Sequence, residues 1–419
     1  MSTTSFRGGA RTDPRDLSIR PYDGSRILLG VTGGIASYKA AWLARLLTKA
    51  GAAVDVVMTP AATEFVGAIT FEALTGHAVH TGLFDPGRPL DHIKLAQSAT
   101  AIVVAPATAD FLARAATGQA NDLLTASLLA ADCPVLLVPA MNDHMWAHAQ
   151  TQTNVAHLRE LGYRVVDPDE GMLAAGEGSG PGRMPEPETI FAHVGRLLEG
   201  AGSMHGRRVL VTAGPTREAI DPVRFISNHS SGKMGVALAA AAWRRGAHVD
   251  LVAGPLAVAT PAGVTVHPVQ STADMATTVQ RLLPESDVLV MAAAPADFRP
   301  AEPARSKIKK VTSPSMISLA STPDILQSTK SARRQGSVVV GFALETDDAV
   351  ASGRRKLGEK ELDMIVVNDA TERGAGFGVD TNRVTLVMRD GREEALPLMP
   401  KTDVAEAILD RVEQLIRGR

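Results

Sequence analysis

Short β-branched runs alternate with stretches of helical spacing along most of the chain. Residues 27–29 read as a strand, Ala40, Leu43, Ala44, Leu46 and Leu47 keep the spacing of a helix that Gly51 ends, and residues 54–57 make the next strand. The segment 26–58 is thus a βαβ unit of the size found in dinucleotide-binding folds. Further strands are predicted at 101–104 and 135–138, and a helix at 190–198. The alternation then restarts, with strands at 209–211, 249–252, 264–266, 288–291 and 338–340, and helices at 233–243, 274–283 and 405–416. Gly51-Ala52-Ala53-Val54-Asp55-Val56-Val57 is echoed by Gly246-Ala247-His248-Val249-Asp250-Leu251-Val252, each after a helix. The expected fold is α/β, with two doubly wound, Rossmann-like domains of mainly parallel sheets.

The length of 419 residues suits two domains, each with its own core. The Arg-, Gly- and Pro-containing leader 1–24 lacks the apolar stretch of a signal peptide and reads as a disordered tail. Residues 25–198 form the first domain, the Gly-rich stretch 199–205 a linker, and residues 206–419 the second domain. A net charge of −2, with one short basic run at 307–310, argues against nucleic acid or an anionic membrane as partner. A single cysteine cannot form an internal disulfide, which fits a reducing cytoplasm, and the place of Cys133 just before a strand reads as core.

Polar residues of chemical interest gather where strands end, which is where open parallel sheets bind ligands. In the first half these are the turn from Gly33 to Ser37, Thr59 after the second strand, Thr108, Asn121 and Asn142. His92 opens a helix, and the stretch 171–187 is so rich in Gly and Pro that it reads as a mobile loop containing Arg183. By position alone, Thr59 suits a helix cap better than a phosphate contact, and His92 a capping or surface role. In the second half a long polar loop carries Asn228 and then Ser230-Ser231-Gly232-Lys233, at the positive end of a helix. This is not a Walker A loop, because Asn228 stands where its first Gly belongs and Met234 follows the Lys. Asp297 ends a strand and suits a helix cap equally with a ribose or Mg2+ contact; Lys356 and Lys360 share a helix face.

Several of these stretches resemble known families. DPVRFISNHSSGKMG is similar to the signature of phosphopantothenate-cysteine ligases, while HIKLA, PATAD, GQANDLL and PAMNDHMW resemble segments of phosphopantothenoylcysteine decarboxylases. The two families are commonly fused in coenzyme A biosynthesis, and the resemblance runs from about residue 26 to the C-terminus. It implies a first domain of flavoprotein-decarboxylase type, in which Gly33, Ser37, Thr59, Thr108 and Asn121 bind FMN. His92 is then the base, Asn142 the clamp for the substrate carboxylate, and Arg183 a contact from a flap that excludes water. It also implies a CTP-dependent ligase with Mg2+ on the phosphates. There Asn228 and Lys307 act on 4'-phosphopantothenate, activated as an acyl-cytidylate that the amine of cysteine attacks. Asp297, Lys307, Pro323, Asp324, Ile325, Phe342, Lys356 and Lys360 would hold the CTP, and no metal ligands are assigned. The resemblance further implies a homo-oligomer, trimeric through the decarboxylase and dimeric through the ligase.

One departure matters. The family's flap reads Ala-Cys-Gly where this chain has Ala174-Ala175-Gly176, so Glu177 becomes the expected proton donor. The rival readings are an active ligase whose flavin domain stops at the oxidised enethiol, and a regulatory flavin-domain binder.

Overall fold

The structure is a computed structural model that describes residues 20–84, 90–173, 176, 178–309, 316–345, 348–369, 372, 374–376 and 378–419. Most of the leader, Ala174, Ala175, Glu177 and Lys310 lie outside the described residues. The first half runs β1 (Arg26–Val31), α1 (Ser37–Lys49), β2 (Ala53–Met58), α2 (Pro60–Thr63), α3 (Ala68–Thr75), α4 (Asp91–Ser98), β3 (Ala101–Ala107), α5 (Ala109–Ala116) and α6 (Leu123–Leu129). It continues with β4 (Val135–Pro139), α7 (Asp143–Ala147), α8 (Ala149–Glu160), β5 (Arg164–Val165), β6 (Asp169–Met172), β7 (Ser179–Arg183) and α9 (Pro187–Glu199).

The main sheet is parallel, in the order β2-β1-β3-β4-β5. Because helices cover both faces, its strands are mostly apolar without alternation, the buried Asp55 of β2 being paired with Arg26 and His77. Ile27 and Leu29 enter one core cluster and Leu28 the other, and all three are buried. From β1 the chain crosses to β2 on one side and from β3 to β4 on the other, so a crevice opens between the C-terminal ends of β1 and β3.

The second half contains β8 (Arg208–Ala213), β9 (Arg217–Ala219), β10 (Phe225–Ser227), α10 (Lys233–Arg244), β11 (His248–Ala253), β12 (Thr265–Pro268), α11 (Thr272–Leu282), β13 (Val288–Met291), β14 (Phe298–Pro300) and β15 (Leu319–Ser321). After them come α12 (Ile325–Ser328), β16 (Val338–Glu345), α13 (Ala349–Glu359), β17 (Met364–Asp369), β18 (Thr381–Asn382), β19 (Val384–Met388), β20 (Glu393–Ala395), β21 (Met399–Pro400) and α14 (Lys401–Arg417). Its sheet order is β12-β11-β8-β13-β16-β17-β19-β20, parallel except for the last two pairings. The first six strands have the dinucleotide-fold order, with the reversal between β8 and β13. Both halves therefore have the doubly wound, mainly parallel architecture expected from the sequence.

Two local expectations are corrected. The stretch 171–187 is largely regular: β6 and β7 form an antiparallel hairpin, and α9 begins at Pro187. Two of its glycines serve close packing. A Cβ on Gly182 would lie 2.3 Å from the Met141 carbonyl, and one on Gly180 2.8 Å from the Asp143 carboxylate. The strand expected at 338–340 runs on through Gly341 to Glu345 as β16, because Gly341 lets Leu362 pack over the strand; a Cβ there would meet Leu362 Cδ1 at 2.6 Å. The linker 199–205 is packed, since Met204 is fully buried in the second core.

A polar seam joins the halves across that stretch. The Arg244 guanidinium lies between Glu199 of α9, at 3.0 Å, and Glu406 of α14, at 2.7 Å. Arg196 stacks over the Trp243 ring at 4.8 Å and donates to the Ala247 carbonyl at 3.0 Å beyond the end of α10. Gly195 admits Arg244 and the Tyr22 hydroxyl, either of which would lie within 2.5 Å of a Cβ at that position. Burial, helped by Arg196 and Arg164, pushes His193 down to about 4, so its ring is neutral at pH 7 against Trp243.

Candidate functional sites at two sheet crevices

In the first crevice Thr32, buried after β1, ties the two loops together. Its hydroxyl donates to the Pro106 carbonyl at 2.8 Å and accepts from the Thr108 backbone N–H at 3.1 Å. The resulting cavity, about 360 Å³, is lined by Gly33, Thr108, Asn142 and Arg183 among others. A Cβ on Gly33 would lie 2.4 Å from that of Ala61, so only glycine lets the turn approach α2 this closely. Asn142 caps α7, its Oδ1 accepting from His144 N–H at 2.9 Å, which leaves its NH2 group free to donate elsewhere. The β6–β7 hairpin sits on this loop through Met141 N–H and the Gly182 carbonyl at 3.0 Å, and thereby brings Arg183 to the cavity. Arg183 also pairs with Glu186.

The remaining expected residues of this half lie off the cavity wall. Ser37 is buried and donates to the Thr32 carbonyl at 3.0 Å. Thr59 precedes α2 but makes no side-chain cap, and its hydroxyl is buried without a partner. Asn121 is exposed and accepts from Arg114 at 3.1 Å. His92, in the first turn of α4, has its Nδ1 buried without a partner. Lys39, absent from the sequence reading, lines the cavity with its ammonium held by the Met184 carbonyl at 2.8 Å. Its place on the buried side of α1 gave no sign of this. Burial pushes the Cys133 thiol up, in keeping with a core role.

The second crevice repeats the first device. Thr212, at the end of β8, accepts from the Ala293 backbone N–H at 3.1 Å, and Ala294 N–H donates to the Gly214 carbonyl at 2.9 Å. Gly235 brings α10 onto β8, since a Cβ there would lie 2.7 Å from the Thr212 carbonyl. The start of α10 therefore faces a cavity of about 360 Å³, lined by Asn228, Lys233, Asp297, Phe342 and Lys356 among others. Asn228 donates to the Ala294 and Pro295 carbonyls, each at 3.1 Å, fixing one wall to the other. A strand follows Asp297, not a helix, which removes the capping alternative for this residue.

Lys307 is exposed and off this wall, but its loop is anchored. The fully buried Asp221 carboxylate accepts from Val223 N–H at 2.8 Å, Arg224 N–H at 2.9 Å and Ile308 N–H at 3.1 Å. Burial alone would push this carboxyl up, but the three backbone N–H groups and the Arg224 guanidinium outweigh it and hold Asp221 below the usual carboxylate range. Lys360 pairs with Asp324 at 3.1 Å away from the cavity, and Asp324 caps α12 through Gln327 N–H. Pro323 is exposed beside them, and Ile325 is core. The sequence reading missed Asn368, Gly376, Asn382 and Lys401, which line the cavity from the far strands and the start of α14. No motif linked them, because the fold alone brings them together.

Two domain families match the chain. Residues 17–199 match the flavoprotein family, and residues 204–416 the C-terminal domain of DNA/pantothenate metabolism flavoproteins. The chain is 48% identical over 409 residues to the coenzyme A biosynthesis bifunctional protein CoaBC of Mycolicibacterium smegmatis, covering 94% of this chain and 98% of that one. This chain belongs to the family of coenzyme A biosynthesis bifunctional proteins. The Bacillus subtilis member is 45% identical over 394 residues, covering 93% of this chain and 97% of its own. A crystal structure of the C-terminal domain of a CoaBC protein is 38% identical with a TM-score of 0.45, and covers 52% of this chain and all of that one. As a member of this family the chain is a bifunctional enzyme with a flavoprotein decarboxylase half and a ligase half.

Proposed function

We propose that the second crevice joins cysteine to 4'-phosphopantothenate through an acyl-cytidylate formed from CTP with Mg2+. The first crevice then decarboxylates 4'-phosphopantothenoylcysteine to 4'-phosphopantetheine with FMN. The carrying observation is that each half opens one cavity at the reversal point of its own sheet, lined in each case by residues of the family motifs.

The residues around the first crevice fit a flavin phosphate. Thr59 offers a buried hydroxyl without a partner, and the Gly33 turn is a cradle that any side chain would fill. Bound there, FMN supplies an electron sink that accepts and returns a hydride at the thiol-bearing carbon. The Asn142 amide donates to the substrate carboxylate, holding it in an apolar pocket beside Met141 and Met145 where its charge is poorly solvated. His92 takes and returns the thiol proton. Since His92 lies off the cavity wall of its own chain, the proposal includes an oligomer that brings it to a neighbouring cavity. Exposed Ile35, Tyr38, Phe65 and Ile69 provide apolar surface for such an assembly, trimeric by family resemblance.

In the ligase, Lys233 and Lys356 face the triphosphate and Phe342 the base, while Lys307 neutralises the oxygens of the activated carboxyl group. Among the described residues no group of three or more His, Cys, Asp or Glu side chains is set to hold a metal, so Mg2+ enters as the companion of the CTP phosphates. No helix among the described residues is long and apolar enough to cross a membrane, and a cytoplasmic location accords with small soluble substrates.

Mass spectrometry of products from 4'-phosphopantothenate, cysteine, CTP and Mg2+ tests the whole reading. Accumulation of the oxidised enethiol would favour the rival in which the flavin half stops early; its motive, Ala175, lies outside the described residues. A separate test concerns FMN alone. Thr59→Val is expected to weaken FMN binding about tenfold, the worth of one hydrogen bond to a charged group, without lowering the melting temperature of the FMN-free protein. Unchanged FMN affinity by fluorescence titration would remove Thr59 from the site.

A further inference from the structure

We infer that Asn368 reads the exocyclic amine of the nucleotide base, and so decides which nucleotide the ligase accepts. The inference rests on the nucleotide reading of the second crevice. Asn368 lies near the end of β17, and its amide orientation follows from unambiguous neighbours. Asn382, almost fully buried, accepts through Oδ1 from the backbone N–H of Gly376 at 3.2 Å and of Arg383 at 3.1 Å. A backbone N–H only donates, so that end of Asn382 is oxygen. Asn368 must therefore turn its own NH2 toward Asn382, at 3.2 Å. This leaves the Asn368 Oδ1 buried and without a donor. Folding has fixed an acceptor and left it unmatched, an arrangement that is costly unless a ligand completes it.

The cavity shows which part of a ligand is meant. Its cationic groups, Lys233, Lys356 and Lys401, are donors suited to phosphate oxygens. A triphosphate near neutral pH carries only acceptors, and Asn368 shares its sheet face with Phe342, so it is assigned to the nucleoside end rather than to the donors of 4'-phosphopantothenate or cysteine. The β16–β17 register sets Leu344 beside Asn368 and Phe342 beside Val366. Residues two apart share a sheet face, so Phe342, Leu344 and Asn368 present one surface, and all three line the cavity. An aromatic ring and an acceptor on one face suit a flat base bearing an amine. A uracil would set its own carbonyl oxygen against Oδ1. The other donors on a nucleoside, the ribose hydroxyls, are separated by the test.

The test uses the full chain with 4'-phosphopantothenate and Mg2+, comparing kcat/KM for CTP, UTP, 2'-deoxy-CTP and 3'-deoxy-CTP. The wild type is expected to prefer CTP to UTP. Asn368→Ala should lower the CTP value roughly tenfold or more and leave the UTP value within about twofold, so that the preference collapses. Asn382→Ala, which frees Asn368 to rotate, should erode the same ratio, whereas Asn382→Asp still accepts from all three N–H groups and should keep it. A wild type indifferent to CTP and UTP, or an Asn368→Ala enzyme with an unchanged ratio, overturns the inference. If a deoxy analogue rather than UTP escapes the penalty, Asn368 reads a hydroxyl and the base assignment falls. Strong preference for ATP in the wild type would sink the CTP assignment alone; comparing ATP with ITP, which lacks the amine, then decides the role of Asn368.

Discussion

Replacing His92 with Asn is expected to leave the protein yellow with FMN while CO2 release falls by about two to four orders of magnitude, the usual contribution of a positioned acid–base group. The side chain sits in the first turn of α4 with Nδ1 buried and unpartnered, so it satisfies no structural hydrogen bond that its loss would break. Asn is close in size and polar, and the melting temperature should hardly move. The pairing of intact flavin absorbance with lost CO2 release is what separates a base from a folding residue. If the variant decarboxylates at the wild-type rate, His92 has no part in the chemistry.

Lys307→Gln should reduce acyl-cytidylate formation by about two to three orders of magnitude, as expected when a charged stabiliser of developing oxygen charge is removed. The lysine is exposed, but its loop is pinned one residue away, where Ile308 N–H meets the buried Asp221 carboxylate. Asp221 also fixes the hairpin that carries Arg224, so one carboxylate ties the Lys307 loop to the signature loop. Glutamine keeps the length and polarity and loses the charge, and stability should be unaffected. Asn228→Asp should act later: acyl-cytidylate forms and then builds up, because a carboxylate cannot donate to the Ala294 and Pro295 carbonyls. Rapid quench with labelled CTP distinguishes the two variants, and normal cytidylate formation by Lys307→Gln would exclude the proposed role.

What the sequence disclosed depended on how local each signal was. The β-branched runs at 27–29 and 209–211 marked the first strand of each sheet because both faces of these strands are covered, so no polar alternation interrupts them. The 171–187 stretch was misread because glycine reports both flexibility and close approach; Gly180 and Gly182 are there for the second reason. The strand expected at 338–340 stopped short for the same reason, since Gly341 too serves close approach. Thr59 and Asp297 were ambiguous by position, and the structure removed the capping role from each. Lys356 and Lys360 share a helix end, yet only Lys356 reaches the cavity, because Asp324 holds Lys360 elsewhere. Asn368, Asn382 and Lys401 are separated by strand crossings, so no spacing rule could have gathered them.

The seam between the halves also changes what a broken chain would do. Residues 200–207 form a short turn, but the grip on either side of it is noncovalent: Glu199 on Arg244 and Arg196 on the end of α10. A protease nick in that turn should therefore yield two fragments that still co-elute in native size exclusion and part only in denaturant. Fragments expressed separately would each expose half of this contact, including the Trp243 ring and an arginine lacking one of its two carboxylates. Such fragments should aggregate more readily than the nicked chain of identical composition.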